Sequence, residues 1–153
     1  MKFIADVMLG KLARWLRLMG YDTAYDSSIS DEDLMHKAHQ EDRIILTMDH
    51  ALAEQSPQGL ALLIKSQNLE DQLQQVVKHF KLDPYSNLFE RCTICNTPVV
   101  EIAKSEIKEE ISPYVYSSYD QFWQCPTCKR LYWEGSHLDQ AKKFLEKIFK
   151  EDK

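Results

Sequence analysis

Residues 3–20 read FIADVMLGKLARWLRLMG, and this stretch decides the fold. Its first six residues are apolar except for Asp6, which predicts a short buried strand over residues 3–8. From residue 9 to residue 19, apolar side chains recur at every third or fourth position, which predicts a helix with one buried face. Gly20 then provides a helix stop signal. A buried strand followed directly by an amphipathic helix indicates an α/β layer structure.

The same alternation continues to residue 80. Apolar and β-branched segments predict three further strands, over residues 23–25, 43–48 and 60–64. Helical periodicity predicts three further helices. One begins after an N-cap at Ser30, one lies over residues 51–55 and one lies over residues 69–80. Strands separated by helices at this spacing predict a mostly parallel sheet with helices packed against it.

The later part of the chain is organised around four cysteines in two Cys-x-x-Cys pairs, Cys92/Cys95 and Cys125/Cys128. Two residues between thiols allow a tight turn to direct both sulfurs at one metal ion, and two such turns complete a tetrahedral site. We therefore predict a structural Zn²⁺ site of the zinc-ribbon type. An iron–sulfur cluster also takes four thiolates and stays an alternative. Disulfides are disfavoured because no signal peptide opens the chain, so that we expect a cytoplasmic protein with reduced thiols.

The predicted elements divide the chain into an α/β domain over residues 1–82, a linker over 83–90, and a cysteine module with a C-terminal helix over 91–153. Strands are predicted around 99–102 and 132–133 of this module. The last helix is predicted to be capped by Ser136, and its apolar face consists of Leu138, Ala141, Leu145 and Ile148.

Composition excludes two classes of protein. No apolar run approaches the roughly 20 residues that span a bilayer, so we predict no membrane association. A formal net charge of −5 argues against a protein that binds nucleic acid through bulk positive charge. Most of the acidic excess precedes Cys92, which fits either a carboxylate cluster or a solvated acidic surface.

Candidate chemistry lies at the predicted strand ends. Asp6 interrupts the otherwise apolar first strand, Asp26 and Asp49 follow the second and third predicted strands, and Asp31 starts the second helix. Functional groups of a parallel sheet gather at the carboxyl ends of its strands, and carboxylates that meet there suit Mg²⁺ or Mn²⁺. A single aspartate at a strand end is more often a turn or cap residue. The residues alone leave both interpretations open.

Several motifs carry a resemblance to a known family. In the first part they are residues 3–22, the motif Asp31-x-x-Leu34, and residues 43–49. Residues 91–96 and 122–137 carry the cysteine turns. Together they resemble the PIN-like RNase domain found at the C-terminus of Mut-seven-type exonucleases and as a stand-alone prokaryotic protein. The resemblance covers nearly the whole chain and implies a three-layer PIN-like α/β domain followed by a Cys₄ zinc ribbon.

The resemblance also implies an activity, that of a metal-dependent ribonuclease. Asp6, Asp31 and Asp49 match the acidic positions expected to hold Mg²⁺ or Mn²⁺, which would activate a water for attack on the phosphodiester. Thr47 is expected to orient Asp49 by a hydrogen bond. The chain departs from the family pattern at Met48, where a basic residue is common, and at His50, where Arg or Lys is usual. A fourth acidic ligand is not obvious, and Asp26 and Asp33 are the candidates.

RNA binding is implied at two places. Lys11, Arg14 and Arg17 are expected to contact phosphates, although a solvated helix face would show the same spacing. Trp133, with Trp123 and Tyr132, would either stack on unpaired bases or form the small core of the ribbon.

The alternative to an enzyme is a non-catalytic RNA- or ribosome-binding adaptor. A PIN-type toxin fits less well because of the added ribbon. Association with the ribosome or tRNA is left open, as are the RNA substrate, endo- or exonucleolytic cleavage and the oligomeric state.

Overall fold

The computed structural model describes residues 1–150. Its first part has four strands, β1 Lys2–Ala5, β2 Asp22–Tyr25, β3 Ile44–Thr47 and β4 Ala61–Leu63. They alternate with four helices, α1 Gly10–Leu18, α2 Asp31–Gln40, α3 His50–Gln55 and α4 Leu69–Phe80. The strands pair in the order β2-β1-β3-β4, and all three pairings are parallel. The predicted α/β fold with a mostly parallel sheet is therefore confirmed.

Side chains of successive strand residues point to opposite faces, and this alternation produces two cores. Phe3 and Ala5 join the core that includes α1 and α4, whereas Ile4 joins the core beneath α2 and α3. Both faces of the sheet are thus covered by helices, which gives three layers. Strand β2 lies on one side of β1, and β3 and β4 lie on the other. The strand order therefore reverses between β1 and β3.

The second part contains β5 Val100–Ile102, α5 Pro113–Ser118, β6 Phe122–Gln124, β7 Leu131–Tyr132 and α6 Ser136–Phe149. Strands β5, β6 and β7 form an antiparallel sheet with β6 in the centre. Phe122 and Ile107 are fully buried and supply the apolar interior of this small unit. We call residues 91–135, which contain both cysteine turns and this sheet, the ribbon.

Helix α6 returns to the first part of the chain. Leu145 and Ile148 belong to the same core as residues of α1 and α4, and the rings of Trp15 and Phe144 have centroids 4.5 Å apart. Before the ribbon, the backbone N–H of Phe89 donates to the carbonyl of Leu18 at 2.8 Å. The division at residues 83–90 stays a prediction, but these contacts show that α6 shares the core of the first part.

Element boundaries differ from the sequence prediction in instructive places. The first strand ends at Ala5 instead of extending to residue 8, because Asp6 caps a 3-10 turn over Val7–Leu9. Ser30 caps α2 as predicted and accepts from the backbone N–H of Asp33 at 3.1 Å.

One prediction about the last helix is wrong. Ser136 is not the N-cap of α6, since Gly135 occupies that position and no side chain caps the helix. The strand predicted around residues 132–133 is present as β7 but lies one residue earlier, so Trp133 follows it.

Candidate functional site

The structure brings Asp6 and the Thr47-x-Asp49 segment together at the carboxyl edge of the sheet, where the strand order reverses. The Thr47 hydroxyl donates to Oδ2 of Asp6 at 2.8 Å and accepts from the backbone N–H of Asp49 at 3.0 Å. Thr47 is completely buried, and Asp6 is 8% exposed. The bond predicted between Thr47 and Asp49 is thus made to the backbone of Asp49, and the carboxylate that Thr47 orients is that of Asp6.

Each of these carboxylates is also held by backbone N–H groups. Oδ1 of Asp6 accepts from Val7 at 2.7 Å. Oδ1 of Asp49 accepts from Ala51 at 2.9 Å and from Leu52 at 3.3 Å, as the N-cap of α3. A carboxylate oxygen has two lone pairs, so these bonds fix the carboxylates and leave capacity for a cation.

The other acidic residues predicted as metal ligands or as candidates for the fourth ligand are exposed to solvent. Asp31 is exposed at the start of α2, as is Asp33, and Asp26 is exposed just after β2. Hydrogen bonds from Ser28 lower the pKa of Asp26. Within residues 1–150, only the four cysteines form a metal-ligating group of three or more whose ligand atoms all lie within 4.8 Å of one another. The assembly of Asp6, Asp31 and Asp49 around one ion therefore stays a prediction.

The four cysteines, by contrast, form one compact cluster. The sulfurs of Cys92 and Cys128 lie 3.7 Å apart, close to the ~3.8 Å between sulfurs of a tetrahedral site with Zn–S bonds of ~2.3 Å. This distance is far longer than the ~2.05 Å of a disulfide bond. Cys92 and Cys125 are buried. The cluster could hold zinc in the closed, structural manner.

The thiols of the cluster differ in acidity, since burial and a hydrogen bond with Cys128 raise the pKa of Cys95 to about 12. Although burial opposes ionisation, backbone N–H groups of Cys128 and Thr127 contribute to lowering the pKa of Cys125 to about 7. The Tyr132 hydroxyl donates to Sγ of Cys92 at 3.2 Å. Burial, together with this bond, raises the pKa of Tyr132 to about 12, so the hydroxyl keeps its proton and stays a donor at neutral pH.

Arg17 connects the first cysteine turn to the sheet. Its Nε donates to the carbonyl of Thr23 at 2.7 Å, and its Nη1 donates to the carbonyls of Thr93 and Ile94 at 3.1 and 3.0 Å. Burial lowers the pKa of the Arg17 guanidinium, but an arginine stays protonated in proteins. The side chain is 8% exposed, unlike a residue on a solvated helix face. Sequence reasoning missed this structural role, and a contact between Arg17 and RNA stays a prediction.

A second connection runs through Asn96 and Asp22. Asn96 donates to Oδ1 of Asp22 at 2.6 Å and accepts from the backbone N–H of Thr23 at 3.0 Å. Arg43 also donates to Oδ1 of Asp22, at 2.7 Å. Burial acts to raise the pKa of Asp22, but the bonds from Arg43 and Asn96 outweigh it and hold that pKa below its ordinary value. The first cysteine turn is therefore fixed to β2 by charged and polar bonds.

The predicted RNA-binding residues Lys11 and Arg14 are exposed on α1. They line a cleft of about 440 Å³ between α1, Tyr25 and the first cysteine turn. The Tyr25 hydroxyl donates to the carbonyl of Val7 at 2.7 Å, which places this ring beside the residue that follows Asp6. A Cβ at Gly10 would lie 3.0 Å from that hydroxyl, so glycine permits the close approach.

Among the aromatic residues of the ribbon, Trp133 and Trp123 are both half-buried. The ring of Trp133 packs against the buried Phe122, with centroids 6.0 Å apart and planes inclined by 58°. Trp133 therefore supports the ribbon core on one side and keeps part of its surface accessible. At the two positions that depart from the family pattern, Met48 packs against the core beneath α1 and α4, and His50 is exposed.

Comparisons with known proteins give one match. A family model described as Mut7-C RNAse domain matches residues 1–145, a range that includes Asp6, Asp49 and both cysteine turns. Neither the curated proteins nor the solved structures contain a match. Across residues 1–150, no helix combines the length and the apolar character needed to span a membrane.

Proposed function

Because the chain belongs to the Mut7-C RNAse domain family, we propose that it is a metal-dependent ribonuclease that hydrolyses RNA phosphodiester bonds. The family suggests a nuclease and implies RNA as the substrate. The observation that carries the proposal is the pair of hydrogen bonds through which Thr47 connects Asp6 to the backbone of Asp49. This pair lies where the strand order of the sheet reverses, which is where ligands of open α/β sheets bind.

In the proposed site, Asp6 and Asp49 supply oxygen ligands to Mg²⁺ or Mn²⁺, and Asp31 supplies a third from the start of α2. Such ions bind through few carboxylates and keep several waters. When bound, the ion polarises a phosphoryl oxygen and lowers the pKa of a water. Thr47 holds Oδ2 of Asp6 in place, so the carboxylate does not rotate when a cation or phosphate approaches.

Substrate binding is proposed to be local, since the net charge of −5 gives no general attraction to RNA. Lys11 and Arg14 are exposed on α1 beside the cleft that adjoins Tyr25, and they would contact phosphates near the acidic pair. The ribbon would assist through Trp133. Zinc at the four cysteines would be structural, because a site with four protein ligands has no open position for a water.

The test is Mn²⁺-dependent cleavage of single-stranded and structured RNAs by the purified protein. Asp6→Asn and Asp49→Asn should abolish cleavage and leave the circular dichroism spectrum unchanged. Asp42→Asn is the matched control. Asp42 is exposed just before β3, at the amino ends of the strands and so away from the acidic pair, and its φ of 54° suits asparagine. If the wild type cleaves none of the single-stranded and structured RNAs, the proposed ribonuclease activity is refuted.

One observation favours a second candidate, a non-catalytic RNA- or ribosome-binding adaptor. The carboxylates of Asp6, Asp31 and Asp49 do not all lie within 4.8 Å of one another. An adaptor predicts RNA affinity that persists when all three are replaced by asparagine and that is lost with zinc. A tRNA or ribosomal RNA would then be retained by the triple variant as well as by the wild type.

A further inference from the structure

A groove of about 600 Å³ lies between α1, α6 and the ribbon, away from the acidic pair. We call it the α1–α6 groove. The residues that matter for its chemistry are Arg14, Trp15, Arg130, Trp133, His137 and Phe144. Its volume is within the range of ~300–1,000 Å³ typical of sites that bind small molecules and cofactors.

The charge of this groove differs from that of the chain as a whole. The chain has a formal net charge of −5, yet among residues 1–150 no Asp or Glu lines the groove, and two arginines and one histidine do. A neighbouring pocket on the ribbon is lined by Glu90 and Glu134 and, within the same described residues, by no basic side chain. Positive charge thus lines this groove, as it lines the cleft of Lys11 and Arg14, in a protein of net negative charge, and this suits an anionic ligand.

The groove also presents aromatic surface. Trp15 of α1 and Phe144 of α6 have ring centroids 4.5 Å apart with an angle of 38° between the planes, so they form one continuous patch. Trp133 adds a third ring from the ribbon, and all three are half-buried. Aromatic rings beside arginines match a ligand with a flat base and a phosphate, since both interactions are used to bind single-stranded nucleic acid.

The groove adjoins the cleft beside the proposed active site. Arg14 and Thr93 line both the groove and the cleft that contains Lys11 and Tyr25. Helix α1 rises ~1.5 Å per residue, so Arg14 lies only ~6 Å along the helix from Gly10. A strand of a few nucleotides can therefore pass from the acidic pair, along Lys11 and Arg14, to the groove.

We propose that the α1–α6 groove binds an unpaired nucleotide of the RNA strand, with its base on the Trp15–Phe144 patch or on Trp133 and its phosphate at Arg14 and Arg130. This inference rests on the proposed function for the class of ligand, and it defines the substrate as single-stranded RNA. It also gives α6 a part in substrate binding that the ribbon alone would not supply.

The test measures the affinity for a labelled single-stranded RNA by fluorescence anisotropy, without added divalent cation so that no cleavage occurs. Arg130→Glu and Phe144→Ala should each weaken binding at least about fivefold, as expected for the loss of a stacking or phosphate contact. Lys142→Glu is the matched control for Arg130→Glu, because it makes the same change in net charge on an exposed residue of α6 that does not line the groove. It should change the affinity less than twofold.

A second measurement locates the base. RNAs that each carry one abasic nucleotide should bind more weakly at a single position, and that dependence should vanish in Phe144→Ala or Trp133→Ala. Equal effects of Arg130→Glu and Lys142→Glu on RNA affinity, with no effect of Phe144→Ala, would overturn the proposal that the groove binds a nucleotide, even if the protein cleaves RNA. RNA binding that depends on the groove residues, by a protein that never cleaves RNA, would support nucleotide binding in the groove and refute the ribonuclease activity. A wild type without affinity for single-stranded RNA would overturn the proposed nucleotide binding.

Discussion

Thr47 and Asp6 are 41 positions apart in the chain, yet the Thr47 hydroxyl donates to the Asp6 carboxylate at 2.8 Å in a buried contact between adjacent strands. The same hydroxyl accepts from the backbone N–H of Asp49 at 3.0 Å. One side chain therefore orients the carboxylate of Asp6 and holds the backbone of Asp49, the two residues that we propose bind the catalytic cation. This relationship exists because β1 and β3 are neighbours in the sheet and end at the same edge.

Replacing Thr47 with valine should lower both stability and cleavage. Valine fills a similar volume but leaves a buried oxygen of Asp6 without its donor, which should cost about 1–3 kcal/mol of unfolding free energy. Cleavage should fall at least tenfold because the Asp6 carboxylate is free to rotate. Chemical denaturation and RNA cleavage rates provide the two measurements. Thr97→Val is the control, since the Thr97 hydroxyl bonds the Thr127 hydroxyl in an exposed contact of the ribbon; an equal loss of cleavage in both variants would contradict the assigned role.

Removal of zinc should destabilise the whole chain. The four cysteine sulfurs are spaced for a tetrahedral ion, and zinc binding by small modules contributes on the order of 10 kcal/mol to folding. Because α6 follows the ribbon and packs on the first core, loss of the ribbon should also lower the thermal stability of the α/β layers. Elemental analysis of purified protein should give one zinc per chain, and Cys92→Ser should lower the Tm. Iron with visible absorbance would instead identify a cluster.

The two arginines of α1 should respond differently to substitution. Arg17→Ala removes three hydrogen bonds to backbone carbonyls and should cost about 2–4 kcal/mol of stability. Arg14→Ala, one helical turn earlier and exposed, should change stability by less than about 0.5 kcal/mol and weaken RNA binding. Denaturation curves and RNA anisotropy on both variants separate the roles. The assignment fails if Arg17→Ala is as stable as Arg14→Ala.

The contact between the first cysteine turn and β2 should depend on pH. The pKa of Asp22 is below its ordinary value in the folded chain, so its contribution to stability is present above the unfolded pKa of ~3.9 and is lost as pH falls through the folded pKa. Asp22→Asn should therefore be less stable than the wild type by about 1–2 kcal/mol at pH 7, and this gap should close as the pH is lowered below about 4. Denaturation at a series of pH values measures the stability difference between Asp22→Asn and the wild type. A difference that does not change with pH would argue against a stabilising contribution from the ionised form of Asp22.

Local sequence signals predicted the fold well. The continuous apolar run of β3 and the regular spacing of Leu69–Phe80 are properties of short segments, so they can be recognised without knowledge of tertiary contacts. Helix α5 was missed because none of its residues is buried, which leaves no periodic pattern to detect.

The site was only partly predictable. Asp49 could be placed at the sheet edge because it directly follows a predicted strand. Asp6 lies inside the strand that the sequence predicts, and it reaches the edge because that strand ends at Ala5. The structural role of Arg17 could not be read from its spacing with Lys11 and Arg14, since two of its partner carbonyls lie 76 and 77 positions further along the chain. Nor could spacing indicate that α6 would supply Phe144 to a groove beside Trp15.

The central claim is that Asp6 holds the cation that hydrolyses RNA. Its most direct measurement is the Mn²⁺-dependent cleavage rate of single-stranded RNA by the wild type, Asp6→Asn and Asp42→Asn under the same conditions. The account predicts cleavage by the wild type and by Asp42→Asn, and none by Asp6→Asn although its fold and zinc content are retained. Equal cleavage by Asp6→Asn and the wild type would contradict it.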